Sequence, residues 1–188
     1  MVLLSACGGG GSTSGSMDTG SACRSGYPSQ NTSSYILPYS TTSSFIVGQG
    51  NCTNGSHSDD QAYAYDFDMP IGTPIIASRS GKVVLVVEHH RENNNTPGQE
   101  NFILIQHADG TITGYYHITT NGALVNVGSN VAQGDRIALS GNTGDSSEPH
   151  LHFEAAECQD CDTIPVNFKN AREHSDGLIE GQRYKMPL

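Results

Sequence analysis

The dipeptide Asp109-Gly110 stands between two alternating segments, Phe102–His107 and Thr111–Tyr116. An Asp-Gly in that setting is the strongest short-range signal for a β-hairpin. A second tight turn, Gln133-Gly134-Asp135, separates Val131–Ala132 from Arg136–Leu139. The β-branched runs Pro74–Ser78 and Lys82–Val87 flank Gly81, and another strand-like segment covers His150–Ala156. Nowhere do apolar residues recur at i, i+3 and i+4 over three turns, so no long amphipathic helix is expected. Strands this short must bury their apolar faces on one another. The expected fold is therefore mainly β, an antiparallel β-sheet sandwich with few or no long helices.

Composition agrees with a loop-rich β protein. Of 188 residues, 22 are Gly, none is Trp, and 35% are hydrophobic. That length suits one domain with appendages. The formal charge of −10, with only nine scattered Lys and Arg, excludes a nucleic-acid binder, because phosphate contacts need clustered cations. No apolar run approaches the roughly 20 residues that span a bilayer. Residues 8–22 are Gly/Ser-rich and of low complexity, a flexible tether reaching roughly 20 Å root-mean-square. Tyr27 to Gly55 is rich in Ser, Thr, Asn and Tyr, with strand candidates at Tyr35–Leu37 and Ser44–Val47, and reads as a segment laid against the domain. The expected organisation is a leader and tether over 1–22, a domain over 23–170 and a charged, turn-rich tail over 171–188.

Leu4-Ser5-Ala6-Cys7 resembles the lipobox of bacterial lipoprotein precursors, which implies a lipidated Cys7 as the mature N-terminus. Only six residues precede Cys7, fewer than the basic and apolar stretches of such leaders need, so the expectation is a truncated signal. Setting Cys7 aside leaves four cysteines, and Cys23–Cys52 and Cys158–Cys161 are the expected disulfides out of three possible pairings. Cys158-x-x-Cys161 alone also reads as a redox or zinc pair. A structural zinc site would need two more ligands, and Cys23 and Cys52 do not form a second close pair.

Pro149-His150-Leu151-His152-Phe153-Glu154 carries a His-x-His unit on a strand-like segment. Side chains two apart share a strand face, so the imidazoles stand roughly 6.6 Å apart along it. One could sit on a metal ion and the other beside the metal's water. A chance pair of surface histidines accounts for the unit alone equally well.

Other segments give it company in a fixed order. Ser56-His57, Tyr65-Asp66-Phe67-Asp68-Met69-Pro70, Ile71-Gly72-Thr73-Pro74 and Gly81-Lys82-Val83-Val84 resemble the first half of lysostaphin-type (LytM-like) zinc endopeptidases. Leu104-Ile105-Gln106-His107, Tyr115-Tyr116-His117-Ile118, Val131-Ala132-Gln133-Gly134-Asp135, Ser140-Gly141-Asn142-Thr143-Gly144 and Pro149–Glu154 resemble the second half. The resemblance covers about Tyr35 to Ala156. It implies that His57, Asp66 and His152 bind one zinc ion per chain with a coordination position left open. It also implies that His117 and His150 flank the metal. One would act as general base on the attacking water; the other would steady the oxyanion or protonate the leaving amine. Glu148 departs from the pattern, since many relatives carry Gly there.

Several residues compete for these roles. Asp68 lies two residues from Asp66 and could share its face, but the Asp-Phe-x-Met-Pro pattern points to Asp66. Asp59 and Asp60 read as a solvated loop, His107 as packing or groove lining, and His89–Asn95 as an exposed loop. Glu154 suits either a partner orienting an imidazole or an ordinary ion pair at a strand end. The resemblance implies an exported enzyme of the bacterial cell envelope that hydrolyses peptide crosslinks or bridges of peptidoglycan, the substrate lying in a groove over one sheet. Lipidated Cys7 would anchor it to a membrane, the outer one if Gram-negative, or it would be periplasmic. The alternative is a non-catalytic relative that activates another cell-wall hydrolase.

Overall fold

Turn chemistry sets the architecture. In the computed structural model, which describes residues 26–40, 42–53, 55–172 and 174–185, Gly110 takes φ +92°. Its amide donates to the His107 carbonyl at 3.0 Å. That turn joins β5 (Phe102–Gln106) to β6 (Ile112–Tyr116), antiparallel from Phe102 opposite Tyr116 to Gln106 opposite Ile112. Gly134, at φ +91°, makes the second expected turn between β8 (Asn130–Val131) and β9 (Arg136–Ser140).

The other strands are β1 (Ser44–Gln49), β2 (Tyr65–Asp68), β3 (Pro74–Ile76), β4 (Gly81–Val87), β7 (Ile118–Ala123), β10 (His150–Ala156) and β11 (Arg183–Lys185). Eight form one sheet in the order β11-β1-β2-β10-β6-β5-β4-β8, and three form a smaller sheet, β3-β9-β7. Every named strand pair is antiparallel. Helix among the described residues is limited to two single 3₁₀ turns, Gln30–Thr32 and Asp59–Gln61, so none is long and apolar enough to cross a membrane.

One apolar core unites the sheets. Ile75, Ile118 and Ile137 from the small sheet join Val83, Ile103, Ile105, Leu151 and Phe153 from the large one, all fully buried. Phe153 packs its ring 5.5 Å from Tyr115 and 5.6 Å from Phe168. At the junction of the sheets, between β6 and β7, His117 adopts φ +62°. This left-handed conformation is uncommon outside glycine and costs on the order of 1–2 kcal/mol.

Three segments differ from their reading in the sequence. Tyr35–Leu37 forms no strand; it makes an isolated bridge from Tyr35 to Phe168, although Tyr35 and Leu37 are buried. The strand expected at Ser44–Val47 forms and runs on to Gln49, but it lies inside the large sheet, paired on both sides, rather than against the domain. Beyond Asn170, Ala171, Leu178 and Tyr184 are buried, and β11 pairs with β1, so this stretch packs with the sheet and does not trail away. Cys158 and Cys161 form a disulfide. Cys52 is also disulfide-bonded, but Cys23, like Cys7 and the tether, lies outside the described residues.

Truncating Phe153 to Ala should destabilise the protein by about 3–5 kcal/mol, because it removes a fully buried ring from the centre of this cluster. Urea denaturation is the measurement. A loss below about 1 kcal/mol would mean that the core closes around the gap or that Phe153 is not central to it.

Candidate active site

The register of three strands builds the site. β10 pairs with β2 so that His152 stands opposite Asp66 and His150 opposite Asp68. On its other side β10 pairs with β6, which sets His152 opposite Tyr116. Leu151 and Phe153 point into the core, while His150, His152 and Glu154 line the opposite face. This is the alternation expected of a strand.

His57 arrives from the loop after β1, fully buried, with Nδ1 3.0 Å from the Gly50 carbonyl. A carbonyl only accepts, so Nδ1 donates and Nε2 keeps a lone pair. That Nε2 lies 3.2 Å from Asp66 Oδ1 and 3.4 Å from His152 Nδ1. His152 Nδ1 is in turn 3.0 Å from Asp66 Oδ1. Behind the ring, His152 Nε2 lies 3.4 Å from Glu154 Oε2, and the other Glu154 oxygen accepts a hydrogen bond from Tyr116 Oη at 2.9 Å.

Donor atoms of His57, Asp66 and His152 thus lie within 4.8 Å of one another, the one such group among the described residues. Buried lone pairs that converge repel unless positive charge sits among them. Two imidazole nitrogens and a carboxylate match three-ligand catalytic zinc sites, and the bonds to Gly50 and Glu154 are of the kind that orient ligating imidazoles. The residues fit a divalent metal. Where only a proton supplies the charge, it rests on His152. Burial opposes the imidazolium, but hydrogen bonds to Asp66 and Glu154 outweigh it and push His152 up to about 10. Burial would likewise raise Asp66, yet the hydrogen bond from His152 and that ring's positive charge hold it well below the usual carboxylate range.

The two remaining histidines lie beside this group. His117 donates from Nδ1 to the Thr143 carbonyl at 2.6 Å. His150 donates from Nδ1 to the Glu148 carbonyl at 2.8 Å, so the unusual residue at 148 contributes through its backbone. The rings are 4.5 Å apart, and His150 Nε2 lies 3.8 Å from Asp66 Oδ1. In each ring the tautomer leaves Nε2 able to accept a proton. Burial, reinforced by His150, pushes His117 down to about 4.

The competing residues fall elsewhere. Asp68 shares the face of Asp66 beside His150 but stands outside the donor group. Asp59 and Asp60 are exposed. His107 is buried at the far end of β5, bonded to the Ser80 carbonyl at 2.9 Å and set edge-on to Tyr35, so it packs and does not line the groove. The stretch from His89 corrects the expectation of a plain exposed loop. Asn93 and Asn94 hydrogen-bond the 142–144 segment, and Asn95, Pro97 and Glu100 wall a cleft of about 600 Å³ over the histidines. No periodicity or motif marks these residues in the sequence. A second hollow of about 260 Å³ shares Gln61 and Tyr116 with the first and runs on past Gly114 and Glu154.

A match between residues 60–167 and the family model for peptidase family M23 spans more than half of the chain. The chain belongs to this family. It is 44% identical over 89 residues to the peptidoglycan DD-endopeptidase ShyA of Vibrio cholerae, covering 47% of this chain and 19% of that protein. It is 36% identical over 123 residues to the uncharacterized lipoprotein YgeR of Escherichia coli, covering 65% of this chain and 39% of YgeR. Among solved structures, the antimicrobial peptidase lysostaphin of Staphylococcus simulans aligns with 30% identity and a TM-score of 0.50, covering 71% of this chain and 48% of that one. The chain thus spans well under half the length of these curated relatives. His57 lies just outside the matched interval; the fold brings it to the other donors.

The raised His152 makes pH dependence a test of the donor group. Its folded value lies above the ordinary 6.5, so its contribution to stability is full below about 6.5 and is lost as pH rises through about 10. Chelator-treated protein should therefore lose melting temperature between pH 7 and 10. Zinc-loaded protein should lose less, because the metal replaces that proton. Parallel curves for the two preparations would show that metal and proton do not share the site.

Proposed function

We propose that the chain is a zinc-dependent endopeptidase that hydrolyses peptide crosslinks or bridges of bacterial peptidoglycan. The observation that carries this reading is the pair of imidazole rings, His117 and His150, that lie beside the His57–Asp66–His152 donor group at the floor of an open cleft. His57, Asp66 and His152 would hold the metal. When bound, zinc supplies Lewis acidity that polarises a peptide carbonyl and acidifies water.

This chain's own groups do the rest. His117 is neutral at working pH because burial disfavours its charged form, and the Thr143 carbonyl fixes its Nδ1–H. Its Nε2 is therefore ready to take a proton from the attacking water. His150, tied at Nδ1 to Glu148, presents Nε2 to the same space. Once Nε2 has itself taken up a proton, the ring can donate it in a hydrogen bond to the carbonyl oxygen as charge builds, or pass it to the leaving amine. Glu154 and Gly50 hold the two ligating rings in orientation. The cleft and its extension past Tyr116 give an extended peptide room on both sides of the site.

ShyA supports peptidoglycan as the substrate, and YgeR supports a lipoprotein context in which Cys7 anchors the protein in the cell envelope. An envelope location favours crosslinks containing D-amino acids over glycine bridges.

Zinc-loaded protein incubated with crosslinked muropeptides should release uncrosslinked products identifiable by mass spectrometry, and chelation should abolish the release. If it cuts neither crosslinked muropeptides nor glycine bridges, the peptidase reading fails and an activator of another hydrolase takes its place. The His117→Ala variant should keep its zinc while turnover falls roughly 10²- to 10⁴-fold. Loss of zinc in that variant would remove His117 from the proton-transfer role.

A further inference from the structure

Glu92 lies in the stretch that reads from sequence as a plain loop, and nothing above gives it a task. We propose that Glu92 is a positioning residue whose carboxylate clamps together the two backbone segments that orient His117 and His150. One oxygen, Oε1, accepts from the Thr120 amide at 3.1 Å. The other, Oε2, accepts from the Asn142 amide at 2.7 Å. Thr120 follows His117 by three residues, and Asn142 immediately precedes Thr143. Hydrogen bonds to a carboxylate are shorter and stronger than those between neutral groups, and each amide loses its acceptor if the carboxylate goes.

The seam under the clamp is unusually close. A Cβ added to Gly141 would fall 2.5 Å from the Thr119 nitrogen and 2.8 Å from Glu92 Oε1. The two segments therefore meet backbone to backbone, with the carboxylate as part of the contact. Both histidines hang from this seam. Thr143 accepts His117 Nδ1–H through its carbonyl and donates its hydroxyl to the Ile118 carbonyl at 3.0 Å. The Asn142 side-chain oxygen accepts from Ser146 Oγ at 2.6 Å, and that hydroxyl lies 3.2 Å from His150 Nδ1. His117 also has the left-handed backbone, a conformation that persists only where its surroundings enforce it. The donor atoms of His57, Asp66 and His152 rest instead on Gly50, β2 and β10. Glu92 thus bears on proton transfer and leaves metal binding alone.

The kinetic arm of the test rests on the peptidase reading; a spectroscopic arm does not. Zinc-loaded wild type, Glu92→Gln and Glu92→Ala would be compared for muropeptide turnover, zinc content, melting temperature and the Nδ1–H proton resonance of His117. Glu92→Ala should lower kcat roughly 10- to 100-fold with KM changed less than about twofold and zinc content unchanged. Glu92→Gln, which keeps one carbonyl acceptor, should recover part of that loss. The His117 Nδ1–H signal should broaden or vanish in Glu92→Ala, whether or not the protein is a peptidase. Wild-type kcat and an intact His117 signal in Glu92→Ala would overturn the proposal, as would a fall in kcat that merely tracks lost zinc. If Glu92→Ala does not fold, the same comparison is decided on Glu92→Gln. If wild type cuts no substrate, the peptidase reading fails and the His117 signal alone decides the clamp.

Discussion

The pairing of β10 with β2 is the constraint on which the rest depends. Because strand side chains alternate, one register both buries Leu151 and Phe153 and sets His152 against Asp66. A slip by one residue would turn the imidazoles into the core and the apolar residues into the cleft. Core packing and site assembly are therefore one requirement, and the hydrophobic effect that fixes the register also collects the donors. The lone pairs gathered there need positive charge among them, from a metal or from the proton on His152, and the strand pairing holds Asp66 and His152 in place for either.

The small sheet has a different task. It carries little of the chemistry directly, but it supplies the junction at His117 and, through the loop after β9, the Thr143 carbonyl. The donor group of His57, Asp66 and His152 is built into the large sheet and its flanking loop. His117 and His150, the pair proposed for proton transfer, stand where the sheets and two long loops meet.

The large features were legible in the sequence because they rest on local chemistry. Asp109-Gly110 dictates its turn, the β-branched runs dictate strands, and alternation around His150 and His152 shows which side chains face together. β7 was not legible, since Thr119, Thr120 and Asn121 have no apolar alternation; its pairing with β9 imposes the strand. β11 is three residues long and exists because β1 offers an edge. Tyr35–Leu37 shows the converse, a strand-like composition whose buried side chains are satisfied without a ladder. For the candidate site, the sequence pointed to five side chains, and the fold brings them together. The sequence was silent on the walls. Asn95, Pro97 and Glu100 take their places from hydrogen bonds to a segment about 50 residues away, and no local pattern records such contacts.

The backbone at His117 has one more consequence. For stability alone, glycine is the residue best suited to a left-handed junction. An imidazole there costs the fold something that a glycine would not, so the hydrogen bond from His117 to the Thr143 carbonyl holds in place a ring that the backbone alone disfavours.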